Sequence, residues 1–63
     1  MKYHINDMIV WEYFGEKLTS KIVRLYPKVS ARLGIEINGK YASVQKKEVI
    51  SHHTRETHPE EFL

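Results

Sequence analysis

Apolar and polar residues alternate most regularly around an Asn-Gly pair at positions 38 and 39. Before it, Leu33, Ile35 and Ile37 are separated by polar or small residues, which is the period of a strand buried on one face. Asn-Gly suits a two-residue type I′ turn, because both central residues of that turn need a positive φ. The pattern therefore predicts a β-hairpin with Asn38 and Gly39 as its loop.

The predicted turn also determines which residues face each other across the hairpin, starting with Ile37 opposite Lys40. Two apolar pairs share one face: Ile35 with Ala42, and Leu33 with Val44. The other face carries Arg32 with Gln45, Gly34 with Ser43, and Glu36 with Tyr41. Because the turn and the hydrophobic pattern agree on this register, we expect Tyr41 to point away from the core.

Two further strands are predicted before the hairpin. Residues 8–13 are rich in strand formers, residues 14–17 have the composition of a turn, and residues 18–26 form the second strand. Both strands have apolar residues on both faces, so alternation alone does not assign their inward side. Pro27 cannot donate to a ladder, which predicts the end of the second strand.

The chain after the hairpin changes in character. Residues 45–48 predict a tight helical turn, and residues 49–51 predict a short closing strand. The following residues are polar and have no period, which is typical of a disordered end. We therefore predict one domain over residues 1–52 and a flexible polar tail over residues 53–63.

Size and composition narrow the function. A chain of 63 residues has little room for a substrate pocket, and it shows no His-acid-nucleophile spacing or Gly-rich phosphate loop. The absence of cysteine excludes disulfides and thiolate metal sites. No apolar run approaches the ~20 residues that cross a bilayer, and the first residues lack the apolar stretch of a secretion signal. We expect a non-catalytic, cytoplasmic protein without a cofactor.

Three stretches of the chain resemble the SH3-like small barrels, such as Tudor, KOW and chromatin-reader domains. These are residues 6–10, 18–25 and 45–50, which are similar to the opening, the second strand and the closing turn of such domains. The resemblance implies an all-β, five-stranded open barrel with a short helical turn before the last strand. Tudor-type readers hold methylated side chains in an aromatic cage, but Leu18 stands where they usually carry an aromatic residue.

Charge points to the class of partner. Residues 17–47 carry eight basic residues and one acid, a net charge of +7, whereas residues 1–16 sum to −2 and residues 48–63 to −3. A basic strip of this kind predicts binding to nucleic acid, DNA or RNA, or to an acidic protein surface. The predicted phosphate contacts are Lys21, Arg24, Arg32, Lys40, Lys46 and Lys47, with Tyr41 stacking on a base. The competing interpretation is a solvated surface that keeps a small sheet protein soluble.

A second hypothesis concerns the aromatic residues near the first turn. Trp11, Tyr13 and Phe14 would form the surface of a protein–protein interaction module, such as a small regulator, inhibitor or assembly subunit, or of a homodimer. The alternative for Trp11 is a place in the core, because a small domain needs large side chains to build one.

The histidines do not predict a metal site. His52 and His53 are adjacent, so on a strand they point to opposite sides, and His58 lies in the predicted tail. A metal site needs imidazoles that converge and are held in place by orienting partners. We therefore expect incidental histidines and no bound metal.

Overall fold

The computed structural model describes residues 2–26, 28 and 31–63. Its five strands are β1 (Met8–Tyr13), β2 (Glu16–Leu25), β3 (Arg32–Ile37), β4 (Lys40–Gln45) and β5 (Val49–His53). They form one antiparallel sheet in the order β4-β3-β2-β1-β5. The all-β prediction is confirmed. The sheet is not closed into a barrel, because β4 and β5 are its two edges.

The β3–β4 hairpin has the predicted register. All six Cα pairs agree with the prediction, from Arg32 opposite Gln45 to Ile37 opposite Lys40. Asn38 and Gly39 have φ angles of 49° and 80°, the positive values that the predicted turn requires.

The β1–β2 connection is shorter than predicted. Phe14 and Gly15 have φ angles of 48° and 80°, so these two residues make the turn and β2 begins at Glu16. The predicted four-residue turn was wrong because Phe is not a residue that favours positive φ. At its other end β2 stops at Leu25, and the predicted role of Pro27 lies outside the described residues.

Short helices flank the last strand. The predicted helical turn is a 3₁₀ helix at Lys46–Glu48, and β5 then runs to His53, beyond the predicted boundary of the domain at residue 52. A second 3₁₀ helix, Pro59–Phe62, lies in the segment predicted to be a tail, and the flexibility of that segment stays a prediction. Within the part of the chain that the structure describes, no helix has the length and apolar character to cross a membrane.

The core lies on the inner face of the sheet. Its buried apolar residues are Ile9, Trp11, Ile22, Leu33, Ile35 and Val44. Burying a side chain of this size contributes roughly 1.5–3 kcal/mol. The Trp11 Nε1–H donates a 3.0 Å hydrogen bond to the buried Ser20 Oγ, so the indole keeps a polar partner inside the core. The register of β2 against β3 shifts between Ile22 and Arg24, a bulge that bends the sheet around this core.

Candidate nucleic-acid interface

The outer face of β2, β3 and β4 collects four of the predicted site residues. Ile22 pairs with Ile35 on the buried side, so their strand neighbours Lys21 and Glu36, which also pair, lie on the outer side. On β3, Gly34 lies on this outer side between the buried Leu33 and Ile35, and the bulge in β2 brings Arg24 opposite it. Strand β3 adds Arg32, and β4 adds Tyr41. We call the surface formed by Lys21, Arg24, Arg32 and Tyr41 the basic face.

The cations of this surface do not form close ion pairs with the described carboxylates. Among the described residues, the ion pairs within 4 Å all involve histidine, and no lysine or arginine side chain takes part in one. Arg32 Nη1 donates a 3.2 Å hydrogen bond to Ser43 Oγ, which holds the guanidinium on the β3–β4 surface. The acid in register with the basic face is Glu36, opposite Lys21. The basic face therefore keeps its charge available to an external anion.

A recess opens in the basic face above Gly34. Its volume is about 380 Å³, and it is lined by Val23, Arg24, Tyr26, Gly34, Tyr41 and Ala42. A Cβ on Gly34 would lie 2.7 Å from Arg24 Cβ and 3.3 Å from Tyr26 Oη, so a side chain at this position would fill the space. The missing side chain at Gly34 thus creates the recess.

The recess combines a cation with aromatic rings. The Arg24 guanidinium lies 5.9 Å from the centre of the Tyr26 ring, within the range of a cation–π interaction. Tyr41 is 75% exposed, so its ring is available for stacking. Sequence reasoning missed Tyr26 and Gly34, because their approach to Arg24 depends on the bulged register of β2 against β3.

The remaining predicted cations lie elsewhere. Lys40 pairs with Ile37, whose side of the sheet packs against the core, and it lines a different groove. Lys46 lies in the 3₁₀ helix before β5, with its Nζ 5.5 Å from the centre of the Tyr3 ring, and Lys47 is exposed in the same helix. The structure therefore divides the predicted phosphate-binding set between separate surfaces.

The three aromatic residues of the predicted protein–protein surface are divided between the core and the surface. Trp11 is 5% exposed and belongs to the core, whereas Phe14 is 90% exposed. The Tyr13 and Phe14 rings meet edge to face with centroids 4.5 Å apart. A groove of about 570 Å³ with a largely apolar lining opens beside them, between Tyr13, Leu18, Ile37 and Tyr41.

Two of the histidines contact a carboxylate at the start of β1. Asp7 Oδ2 accepts a 2.7 Å hydrogen bond from His52 Nε2 and a 2.9 Å bond from the His4 backbone N–H. The Asp7 residue is 7% exposed and the His52 side chain 3% exposed. This Asp7–His52 pair ties β5 to the residues that precede β1. The adjacent His53 instead contacts Glu61, so the two histidines do point to different sides.

Comparisons with known proteins leave the function open. No protein-family model matches the chain, and the comparisons with curated proteins and with solved structures found no match. A functional assignment must therefore be argued from the charge, exposure and register of the described residues.

Proposed function

We propose that this chain is a non-catalytic nucleic-acid-binding module and that its basic face binds the phosphate backbone of a single strand. The observation that carries the proposal is the placement of Arg24, Arg32 and Tyr41 on one exposed face, where none of the described carboxylates lies within 4 Å of either arginine. Unpaired guanidinium groups bind phosphate oxygens, and exposed aromatic rings stack on bases. The combination favours a nucleic acid over a simple anion.

The architecture supports an SH3-like small barrel as the scaffold of this module. The strand order β4-β3-β2-β1-β5 makes β1 the neighbour of both β2 and β5, and a 3₁₀ helix precedes β5. A long β2 with a bulge between Ile22 and Arg24 allows the sheet to curve around its core. In this scaffold the basic face is the outer surface of β2, β3 and β4, the three neighbouring strands on the β4 side of the sheet.

The basic face suits a single strand better than a duplex. Recognition of single strands depends on a charged surface that follows the backbone and on aromatic rings that stack on unpaired bases. Tyr41 supplies such a ring, while Arg24 and Tyr26 border a recess large enough to receive a planar group. Within the described residues, no helix is long enough to fill a major groove as a recognition helix does.

The test is a titration of labelled oligonucleotides with increasing salt. We expect a single-stranded oligonucleotide to bind at low salt and to bind more tightly than the matching duplex. With two or three phosphate contacts, the logarithm of the affinity should fall with the logarithm of salt concentration with a slope of about −1.4 to −2.1. An absence of binding at low salt, or an affinity independent of salt, would contradict the proposal.

A pair of double variants tests the location of the interface. Arg24→Gln with Arg32→Gln removes two charges from the basic face, and Lys40→Gln with Lys47→Gln removes the same charge elsewhere. We expect the first variant to lose most of the binding and the second to keep its salt slope. Equal losses would show nonspecific attraction to net charge. An acidic peptide that competes on equal terms would assign the basic face to an acidic protein partner.

A second candidate function is protein–protein interaction through the groove beside Tyr13. The exposure of Phe14 favours it, because a large aromatic residue at positive φ in a turn is an uncommon arrangement. A homodimer would use the same surface. Sedimentation of the wild-type chain and of the Phe14→Gly variant tests this function. Two results together would contradict this function: both proteins sediment as monomers, and both capture the same partners.

A further inference from the structure

We propose that His53, His58 and Glu61 form a binding site for a divalent transition metal, with zinc as the preferred ion. One ligand atom from each residue lies within 4.8 Å of the others. His53 comes from the end of β5, and the other two residues come from the C-terminal segment. We call these three residues the histidine cluster. A set of two imidazoles and one carboxylate is a donor combination that zinc sites use.

Both imidazoles of the cluster have a hydrogen-bond partner on one ring nitrogen. Ser51 Oγ lies 2.7 Å from His53 Nε2, which leaves Nδ1 as the nitrogen that faces Glu61. Thr57 Oγ1 lies 2.8 Å from His58 Nδ1, which leaves Nε2 as the ligating nitrogen of that ring. Metal-binding histidines typically have such a partner on the second ring nitrogen, because it sets the tautomer and the ring orientation.

The contact between His53 and Glu61 marks the position of the ion. His53 Nδ1–H donates to both carboxylate oxygens, with distances of 2.8 Å and 3.0 Å. A metal ion would replace the proton between these atoms, since ligating imidazole nitrogen is unprotonated. Ser51 can accommodate the exchange because its hydroxyl either donates to Nε2 or accepts from it.

One movement is needed to complete the site. The His53 and His58 rings are stacked, with centroids 3.8 Å apart and planes tilted by 10°. Lone pairs of parallel rings do not converge, so the His58 ring must rotate out of the stack to direct Nε2 at the ion. The rotation gives up the present contact of His58 Nδ1 with Thr57 Oγ1. It leaves the core unchanged, because His58 lies in the C-terminal segment rather than in the sheet.

Metal binding would attach the C-terminal segment to β5. Without the ion the two are joined by a ring stack and by the hydrogen bonds between His53 and Glu61. With the ion, coordinate bonds would join both His58 and Glu61 to the last strand. Strand β5 lies at the opposite edge of the sheet from β4, so this event is separate from the proposed binding of nucleic acid at the basic face.

The experiment is a calorimetric titration of the tag-free chain with zinc chloride, followed by amide NMR spectra of the free and zinc-loaded protein. We expect one ion per chain and shifts concentrated in residues 51–62. Ser51→Ala should weaken zinc binding by about 10–100-fold, the usual effect of losing an orienting partner. His58→Ala and Glu61→Gln should each weaken it by more than that. Glu60→Gln, an exposed neighbour outside the cluster, should leave the affinity unchanged.

Two results would overturn the proposal. One is the absence of zinc binding by the folded wild-type chain, whose fold is verified by the fluorescence of the buried Trp11. The other is binding that survives both His58→Ala and Glu61→Gln but is lost in His4→Gln, which would place the ion beside Asp7. Neither result depends on nucleic acid, so failure of the metal site and failure of the proposed function are distinguishable.

Discussion

The basic face and the Asp7–His52 pair belong to one small sheet protein, yet their polar groups are partnered differently. Asp7 accepts hydrogen bonds from His52 and from the His4 backbone, and both carboxylate and imidazole are shielded from water. Arg24 and Arg32 are exposed, and no carboxylate in the described part of the chain lies within 4 Å of them. Asp7 is therefore satisfied within the protein, whereas the two arginines are left exposed to solvent.

The difference follows from the cost of removing a charge from water. A buried carboxylate is tolerated only with hydrogen-bond partners, so Asp7 must be satisfied within the fold. An exposed guanidinium keeps its hydration and needs no partner, and a surface ion pair would contribute only about 0–1 kcal/mol. Stability thus explains the geometry around Asp7 but does not explain the placement of the arginines. That placement is the reason for proposing a binding role for the basic face.

Among the substitutions that test this difference between buried and exposed groups, Asp7→Ala has the largest expected effect. The substitution leaves the buried His52 Nε2 and the His4 N–H without their acceptor, so we expect the free energy of unfolding to fall by about 1–3 kcal/mol. Chemical denaturation followed by Trp11 fluorescence measures it. The native fraction should bind oligonucleotide as the wild type does. A stability equal to wild type would show that the pair is not needed to hold β5.

The next largest expected effect is the loss of oligonucleotide affinity in Tyr41→Ala. Loss of a stacking ring should weaken the affinity for a single-stranded oligonucleotide by about 1–3 kcal/mol, while Tyr41→Phe should keep most of it. The free energy of unfolding should change by less than about 0.5 kcal/mol, because the ring is 75% exposed. Tyr13→Ala, which removes a tyrosine outside the basic face, is the matched control. Equal losses in both alanine variants would contradict stacking by Tyr41.

The β3–β4 hairpin could be predicted in full because its information is local. Alternation and the Asn-Gly turn determine the register, and the register determines the outward face of Tyr41. The first turn could not be predicted in the same way, since Phe14 has no local preference for positive φ. There the pairing of β1 with β2 overrides the preference of the residue.

The candidate site was only partly predictable, because charge along the chain does not specify a face. The register that was predicted for the hairpin already paired Lys40 with Ile37, on the side of the core, and so separated it from Arg32. The approach of Tyr26 to Gly34 depends on a bulge that alternation does not reveal. The contact of His53 with Glu61 depends on the path of the C-terminal segment, which has no periodic pattern.

The smallest expected effect comes from Glu36→Gln, and it discriminates best because stability and affinity should change in opposite directions. Glu36 lies opposite Lys21 on the outer face, where cross-strand pairs of opposite charge contribute roughly 0.2–1 kcal/mol to a sheet. Removing the carboxylate should lower the free energy of unfolding by up to that amount. At about 10 Å from a phosphate in water, the same carboxylate repels it by about 0.4 kcal/mol, so its loss should tighten oligonucleotide binding about twofold.

The two readouts should therefore move in opposite directions in Glu36→Gln, and the gain in affinity should disappear as salt screens the repulsion. Glu60→Gln makes the same change of charge in the C-terminal segment and should alter neither readout. If Glu36→Gln weakens binding, or if Glu60→Gln tightens it equally, the nucleic acid does not lie on the basic face. If the basic face serves only solubility, loss of the Glu36 carboxylate should not change the affinity for oligonucleotide. If it binds phosphate, the same loss should raise that affinity.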